Sequence, residues 1–233
     1  RILHKIPKVE LHAHLHGSIR LTTLQELSNV ASISLDVHGE LNLEKCFKLF
    51  GVMHKIVSTI AIVKRIVNEV IEDYIAENTI YLELRTTPRN LSDGTSAEVY
   101  VETLVDIIQK HNLQHGDTML VKLILSIDRS IRFRDAIEVS ELAADFRFLS
   151  NSTEHPVRTI VGLDFSGNPH GGRFEDFSPL FDTAKDRGLG LTVHTAEVRE
   201  LSDSVDPRTE EDDTEAILNF RYGAYSVWTA HMC

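Results

Sequence analysis

Five short apolar segments alternate with helical patterns, and this alternation constrains the fold of the chain more than any other feature. Each segment ends in polar residues, and the stretches between them repeat apolar residues at the spacing of one helix face. The predicted strands are 9–17, 79–88, 119–128, 159–167 and 189–197, with a weaker sixth at 222–228. The predicted helices are 61–78, 96–110, 134–149 and 174–187, with further helix around 43–56.

Strands that alternate with helices predict a parallel sheet covered by helices. From the second strand onward the strands begin about 30 to 40 residues apart, which is the length of a βα unit. A doubly wound sheet is the structural competitor. No glycine-rich phosphate loop follows the first strand, which disfavours a dinucleotide-binding fold.

Composition limits the partners and the compartment. The chain carries 35 acidic and 24 basic residues, a formal charge of −11, which disfavours nucleic acid and anionic membranes. No run of 18 apolar residues predicts a membrane span, and the first nine residues lack a signal-peptide pattern. With only Cys46 and Cys233 as cysteines, we expect a reduced, cytoplasmic protein without a disulfide framework.

Two histidines in the first predicted strand are separated by one residue. Side chains at i and i+2 face the same side of a strand, so His12 and His14 would lie together. Neutral imidazole is a common zinc ligand, and the pair could bind one metal ion. Taken alone, this motif more often marks two core or surface histidines.

A second histidine motif ends the fifth predicted strand. His194 could be a third metal ligand, and Glu197 follows three residues later at the start of a loop. A carboxyl group beside a metal-activated water can move protons without ligating the metal. The alternative is an ordinary polar strand end. Taken together, the two motifs favour a metal-dependent hydrolase and this alternative equally.

Three other strand ends carry polar groups. The segment 85–89 could bind an anion through Arg89, and Gly167 would let a ligand approach the backbone closely. Asp128 ends the third strand. The structural alternatives are a solvent-exposed loop at 85–89, an ion pair between Asp128 and Arg129, and a plain turn at Gly167.

Four ordered motifs resemble those of the adenosine and AMP deaminase family. They are Pro-Lys-Val-Glu-Leu-His-Ala-His-Leu-His-Gly-Ser at 7–18, Tyr-Leu-Glu-Leu-Arg-Thr-Thr-Pro-Arg at 81–89, Gly-Leu-Asp-Phe-Ser-Gly-Asn-Pro at 162–169 and Val-His-Thr-Ala-Glu at 193–197. The combination of Thr-Thr-Pro-Arg with Ser-Gly-Asn-Pro resembles the adenosine deaminase-like branch, the N6-methyl-AMP deaminases. The resemblance spans about residues 5 to 220.

The resemblance implies an α/β fold, a TIM-type barrel of the metal-dependent hydrolase kind. It also implies a monomeric enzyme with one zinc ion per chain that deaminates a purine nucleoside or nucleoside monophosphate at C6. Adenosine, AMP and N6-methyl-AMP all stay open as substrates, although Arg89 favours a monophosphate.

Site residues follow from the same resemblance. His12, His14 and His194 match the family's zinc-binding histidines, and Glu197 matches its proton-donating glutamate. The positions that match substrate-binding residues are His14, His16, His54, Thr86, Thr87, Pro88, Arg89, Asp128 and Gly167.

The chain departs from the family pattern in two places. His16 stands where the family has Asp or Asn, which could alter sugar recognition or weaken zinc binding. The family's further histidine after the glutamate and its zinc-binding Asp are not found in the sequence. We therefore expect an incomplete barrel of about five to six of eight βα units over 1–220, a divergent tail over 221–233, and poor stability.

Two other functions compete with a purine deaminase. One is an inactive fragment or a protein that only binds nucleotide or zinc. The other is an amidohydrolase with a non-purine substrate.

Overall fold

A computed structural model of the protein describes residues 3–35, 43–146, 158–169, 171–195, 211–220 and 226–230. The chain divides into two compact units, Arg1–Lys122 and Leu123–Cys233. Among the described residues, no helix combines the length and the apolar character that crossing a membrane requires.

In its described part, the first unit contains two adjacent parallel strands and four α-helices. Strand β1 pairs with strand β2, and at their carboxyl ends His14 lies opposite Arg85. The elements are β1 (Lys8–His14), α1 (Leu21–Ala31), α2 (Leu43–Ile56), α3 (Ile60–Ala76), β2 (Thr79–Thr86) and α4 (Ala97–His115).

Helix α3 shows why the sequence folds this way locally. Thr59 caps its first turn, because the Thr59 hydroxyl accepts a hydrogen bond from the Ile62 amide at 3.4 Å. The helix then buries one continuous stripe at i, i+3, i+4 spacing. The stripe consists of Val63, Ile66, Val67, Val70 and Ile71.

Among its described residues, the second unit holds most of β3 and three more strands, paired in parallel in the order β3, β4, β5, β6. Seven successive residues of β3 are buried, which is typical of a parallel strand covered on both faces. The elements are β3 (Leu120–Asp128), α5 (Phe133–Phe146), β4 (Ile160–Ser166), α6 (Phe174–Asp186), β5 (Gly190–Thr195), α7 (Glu211–Asn219) and β6 (Ser226–Ala230).

The first five strand predictions agree with the structure to within about two residues at their described ends, except at the carboxyl end of β1. Strand β1 ends at His14, because residues His16–Ser18 form a 3-10 turn in which the Ser18 hydroxyl donates to the His14 carbonyl at 2.9 Å. His16 is therefore a turn residue and not part of the strand. The weaker sixth strand lies at Ser226–Ala230, and residues 196–197 and 221–225 fall outside the described residues.

Four phenylalanines form the core between β4 and α6. The Phe165 ring centroid lies 5.5, 5.2 and 5.8 Å from those of Phe174, Phe177 and Phe181, at tilted or edge-on angles. Such aromatic pairs contribute beyond their burial alone. This cluster fixes α6 against the strand whose end carries Gly167.

We expect Phe181→Ala to destabilise the protein by about 3–5 kcal/mol, because Phe181 is fully buried and its removal leaves a cavity. Urea unfolding monitored by circular dichroism measures this. Phe133→Ala is the matched control and should cost much less, since 42% of Phe133 is exposed. Equal effects of the two changes would contradict this role of the cluster.

Candidate functional site

Strand β1 places two imidazoles side by side near its carboxyl end. The Nε2 atoms of His12 and His14 are 3.0 Å apart, and their ring centroids are 5.0 Å apart. Zinc–nitrogen bonds in tetrahedral geometry place two ligand nitrogens about 3.3 Å apart. The donor atoms and their separation therefore fit two ligands of one zinc ion.

In the second unit, β5 carries His194 as its penultimate residue, buried at 4% exposure. Its Nδ1 lies 3.2 Å from the Phe165 carbonyl oxygen and 3.2 Å from a carboxylate oxygen of Asp164. Both neighbours are acceptors, so Nδ1 carries the ring proton. In the neutral ring, Nε2 then carries the lone pair, the form in which histidine binds metals.

Asp164 is a residue that the sequence did not identify. Its carboxylate is completely buried and accepts hydrogen bonds from Ser126 Oγ at 2.8 Å and Thr192 Oγ1 at 2.6 Å. These bonds aim the carboxylate at His194. In the sequence, Asp164 is an acidic residue inside a mostly apolar predicted strand and lies within the 162–169 motif, but neither signal assigns it this role.

His16, His54 and Arg89 lie together in the first unit. Arg89 Nη2 is 2.9 Å from His16 Nε2 and 2.9 Å from the Val57 carbonyl oxygen. The His16 and His54 rings meet edge-on at 4.9 Å. Burial, and next the charge of Arg89, lower the pKa of His16 well below its usual value, so the ring is neutral at pH 7.

The residues before Arg89 differ in their surroundings. Thr86 is buried, and its hydroxyl lies 2.7 Å from the hydroxyl of Tyr100 on α4. Thr87 is half-buried and Pro88 is buried. Burial raises the pKa of Tyr100, which keeps this phenol protonated, and no motif or spacing predicts this contact.

Asp128 and Gly167 come together at the ends of β3 and β4. Gly167 has a φ of 102°, and a Cβ there would lie 2.5 Å from a carboxylate oxygen of Asp128. The same oxygen accepts a hydrogen bond from the Ser130 amide at 2.8 Å. The glycine is therefore required by its backbone conformation and by the close approach of Asp128. Glu197 lies outside the described residues.

We expect Gly167→Ala to destabilise the protein by about 1–3 kcal/mol and to displace Asp128, because strain and a steric clash act together. Gly94→Ala is the control, since Gly94 also has a positive φ of 89° but open space around its Cα. Chemical unfolding of both variants separates the two causes. A smaller effect at Gly167 than at Gly94 would contradict the predicted clash.

Arg129 does not form an ion pair with Asp128, so that structural alternative is wrong for the described residues. Arg129 Nη1 instead pairs with Asp213 on α7 at 3.0 Å, and Nη2 donates to the His194 carbonyl at 3.0 Å. Asp213 also accepts a hydrogen bond from the Phe174 amide at 2.5 Å. The pair thus ties the end of β5 to α6 and α7.

Comparison with known proteins places these observations. The adenosine deaminase family model matches residues 7–206. An N6-mAMP deaminase of Arabidopsis thaliana is 37% identical over 227 residues, covering 84% of this chain and 61% of that protein. N6-Methyl-AMP deaminase-L of Xenopus laevis is 33% identical, covering 97% of this chain and 65% of that protein.

A solved structure of Arabidopsis ADAL complexed with GMP superposes with a TM-score of 0.78 at 33% identity, covering 95% of this chain and 64% of that one. The fold is therefore that of a TIM-type barrel, of which the described residues provide part of the βα units. The chain spans 61–65% of the length of the two curated relatives. Because the family model covers most of the sequence and the fold agrees, the chain belongs to the adenosine deaminase family.

Proposed function

We propose that the protein is a zinc-dependent hydrolase that deaminates a purine nucleoside monophosphate at C6, with N6-methyl-AMP as its first candidate substrate. The observation that carries this proposal is the 3.0 Å separation of His12 Nε2 and His14 Nε2, in a chain of the adenosine deaminase family. Water would replace the amino group at C6. AMP would yield IMP and ammonia, and N6-methyl-AMP would yield IMP and methylamine.

The zinc ion would be held by His12, His14 and His194. In a TIM-type barrel the carboxyl ends of all strands meet at one face, and these histidines lie near the carboxyl ends of β1 and β5. A zinc ion bound there would supply a Lewis acid that makes water nucleophilic at neutral pH. Asp164 would keep His194 in the tautomer that this binding needs.

Glu197 would supply the proton. Its motif, Val-His-Thr-Ala-Glu at 193–197, places it two residues beyond the end of β5. The carboxyl group would protonate N1 of the purine while the water oxygen adds at C6, which keeps the ring neutral as the C6 carbon becomes tetrahedral. A proton from the attacking water passes to the leaving nitrogen, the C6–N6 bond breaks, and the amine leaves as ammonia or methylamine.

Arg89 supports a nucleotide as the substrate. The guanidinium lies beside two histidines and is suited to bind a phosphate group. The relatives named above act on N6-methyl-AMP by name, and the Arabidopsis structure is a complex with GMP, a nucleoside monophosphate.

The decisive test is turnover by the purified, zinc-loaded protein. We expect conversion of N6-methyl-AMP to IMP and methylamine, with slower conversion of AMP and little of adenosine, followed by ultraviolet absorbance and by chromatography of the products. Glu197→Gln is the matched variant and should keep its zinc while losing turnover. Zinc-loaded protein that converts no purine would overturn the proposal.

A further inference from the structure

We propose that His16 is a positioning residue that holds the Arg89 guanidinium ready for the phosphate of a nucleoside monophosphate, and so sets the preference of this site for a nucleotide over a nucleoside. This inference rests on the proposed function, and it names the part of the substrate that His16 selects.

The hydrogen bond between His16 and Arg89 has a defined direction. A guanidinium can only donate, so His16 Nε2 accepts from Arg89 Nη2 at 2.9 Å, and Nδ1 carries the ring proton. The same Nη2 donates to the Val57 carbonyl at 2.9 Å. Both N–H groups of Nη2 therefore have partners, which fixes the plane of the guanidinium.

The other end of the guanidinium is poised for a ligand. Arg89 Nη1 is buried and has no hydrogen-bond partner among the described residues. No carboxylate in the described part of the chain forms an ion pair with Arg89 either. A buried guanidinium nitrogen without a partner is costly, and a tetrahedral dianion is the class of ligand that would satisfy it.

The nature of residue 16 decides whether that charge stays available. An aspartate there would pair with Arg89 and cancel its charge, whereas an imidazole that accepts the same hydrogen bond through Nε2 adds no negative charge and leaves the charge of Arg89 for a ligand. The His54 ring, edge-on to His16, also brings no negative charge. In a chain of net charge −11, this is a local cationic spot suited to a phosphate monoester.

Three substitutions at one position test the inference. His16→Asn keeps a neutral acceptor, His16→Asp keeps the acceptor but adds a negative charge, and His16→Leu removes the acceptor. We expect His16→Leu to weaken IMP binding on the order of tenfold, the scale of one charge-assisted hydrogen bond, and His16→Asp to weaken it more. Inosine binding should change little, and His16→Asn should recover part of the loss.

The readouts are the affinities for IMP and inosine by calorimetry, and KM and kcat for N6-methyl-AMP and its nucleoside. The inference expects KM for the nucleotide to rise in the Leu and Asp variants. His4→Asn, a change of an exposed histidine, is the matched control and should leave both affinities unchanged. Zinc content and thermal unfolding, measured for every variant, separate loss of metal or fold from loss of phosphate binding.

The outcomes distinguish this inference from the proposed function. If no purine is converted but IMP affinity still falls in the order Asn, Leu, Asp, the proposed reaction is wrong and the positioning role stands. If IMP and inosine bind equally well to the unchanged protein, or if the Asp variant keeps the original preference for IMP, the inference is overturned. If His16→Leu fails to fold, the comparison of the Asn and Asp variants, which are near-isosteric with each other, decides the question.

Discussion

Replacing His14 with alanine is expected to remove zinc from the protein and to abolish deamination. His14 Nε2 lies 3.0 Å from His12 Nε2. Removing His14 leaves β1 with only one of its two proposed zinc ligands. Even a lost hydrogen-bonding partner of a ligand costs about 10- to 100-fold in metal affinity, and a lost ligand should cost more than about 100-fold. Metal analysis after dialysis against a weak chelator, with an activity assay on the same samples, measures both effects.

Two further variants test the same prediction: one should lower zinc affinity by a smaller factor, and the other should leave it unchanged. Asp164→Asn keeps the volume of the side chain but weakens the support of His194 Nδ1, and it should lower zinc affinity by about 10- to 100-fold while leaving some bound metal. His115→Ala changes an exposed histidine on α4 and should bind zinc normally. A His14→Ala protein that retains one zinc per chain would show that His14 is not a ligand.

The strands and most helices could be predicted because the pattern of buried apolar residues in each is visible in its own sequence. Strand β3 is buried at seven successive positions, and its apolar run is visible in the sequence. Helix α3 shows its buried stripe at helical spacing. Such patterns depend on neighbours in sequence, so they need no knowledge of tertiary contacts.

Helix α1 was not predicted because its signals are weak. The Leu21–Ala31 segment buries two leucines, and its N-cap, Arg20, makes no side-chain capping bond. The Arg20 side chain instead forms an ion pair with Asp73 on α3 at 2.7 Å. This contact spans more than fifty positions of sequence, so the helix depends on tertiary packing that no local pattern reveals.

Some features of the candidate site could also be predicted from local sequence, whereas others could not. The neighbouring positions of His12 and His14 follow from the two-residue period of a strand, and the structure agrees. The contacts of Asp164 with His194, and of Tyr100 with Thr86, join residues that are distant in sequence. Composition and spacing do not reveal such pairs. The turn that brings His16 to Arg89 is a separate difference, because the sequence pattern predicts residues 16 and 17 as part of the first strand.

Loss of the buried pair between Arg129 and Asp213 is expected to destabilise the protein strongly. Arg129 and Asp213 are 4% and 6% exposed, and Asp213→Ala would leave the guanidinium buried without its counter-ion and the Phe174 amide without its acceptor. Breaking a buried pair in this way costs about 3–5 kcal/mol. Chemical unfolding of Asp213→Ala should show a shift of that size.

A double substitution separates the cost of an unpaired charge from the value of the pair. Replacing both residues with apolar side chains, Arg129→Met with Asp213→Leu, removes both charges together and should restore much of the stability lost in Asp213→Ala. The double variant should bind zinc more weakly than the unchanged protein, because Arg129 Nη2 donates to the carbonyl of His194 and so holds the end of β5 in place. If the double variant is as unstable as Asp213→Ala, the pair stabilises the fold through its own hydrogen bonds. If the double variant keeps full zinc affinity, Arg129 does not position His194.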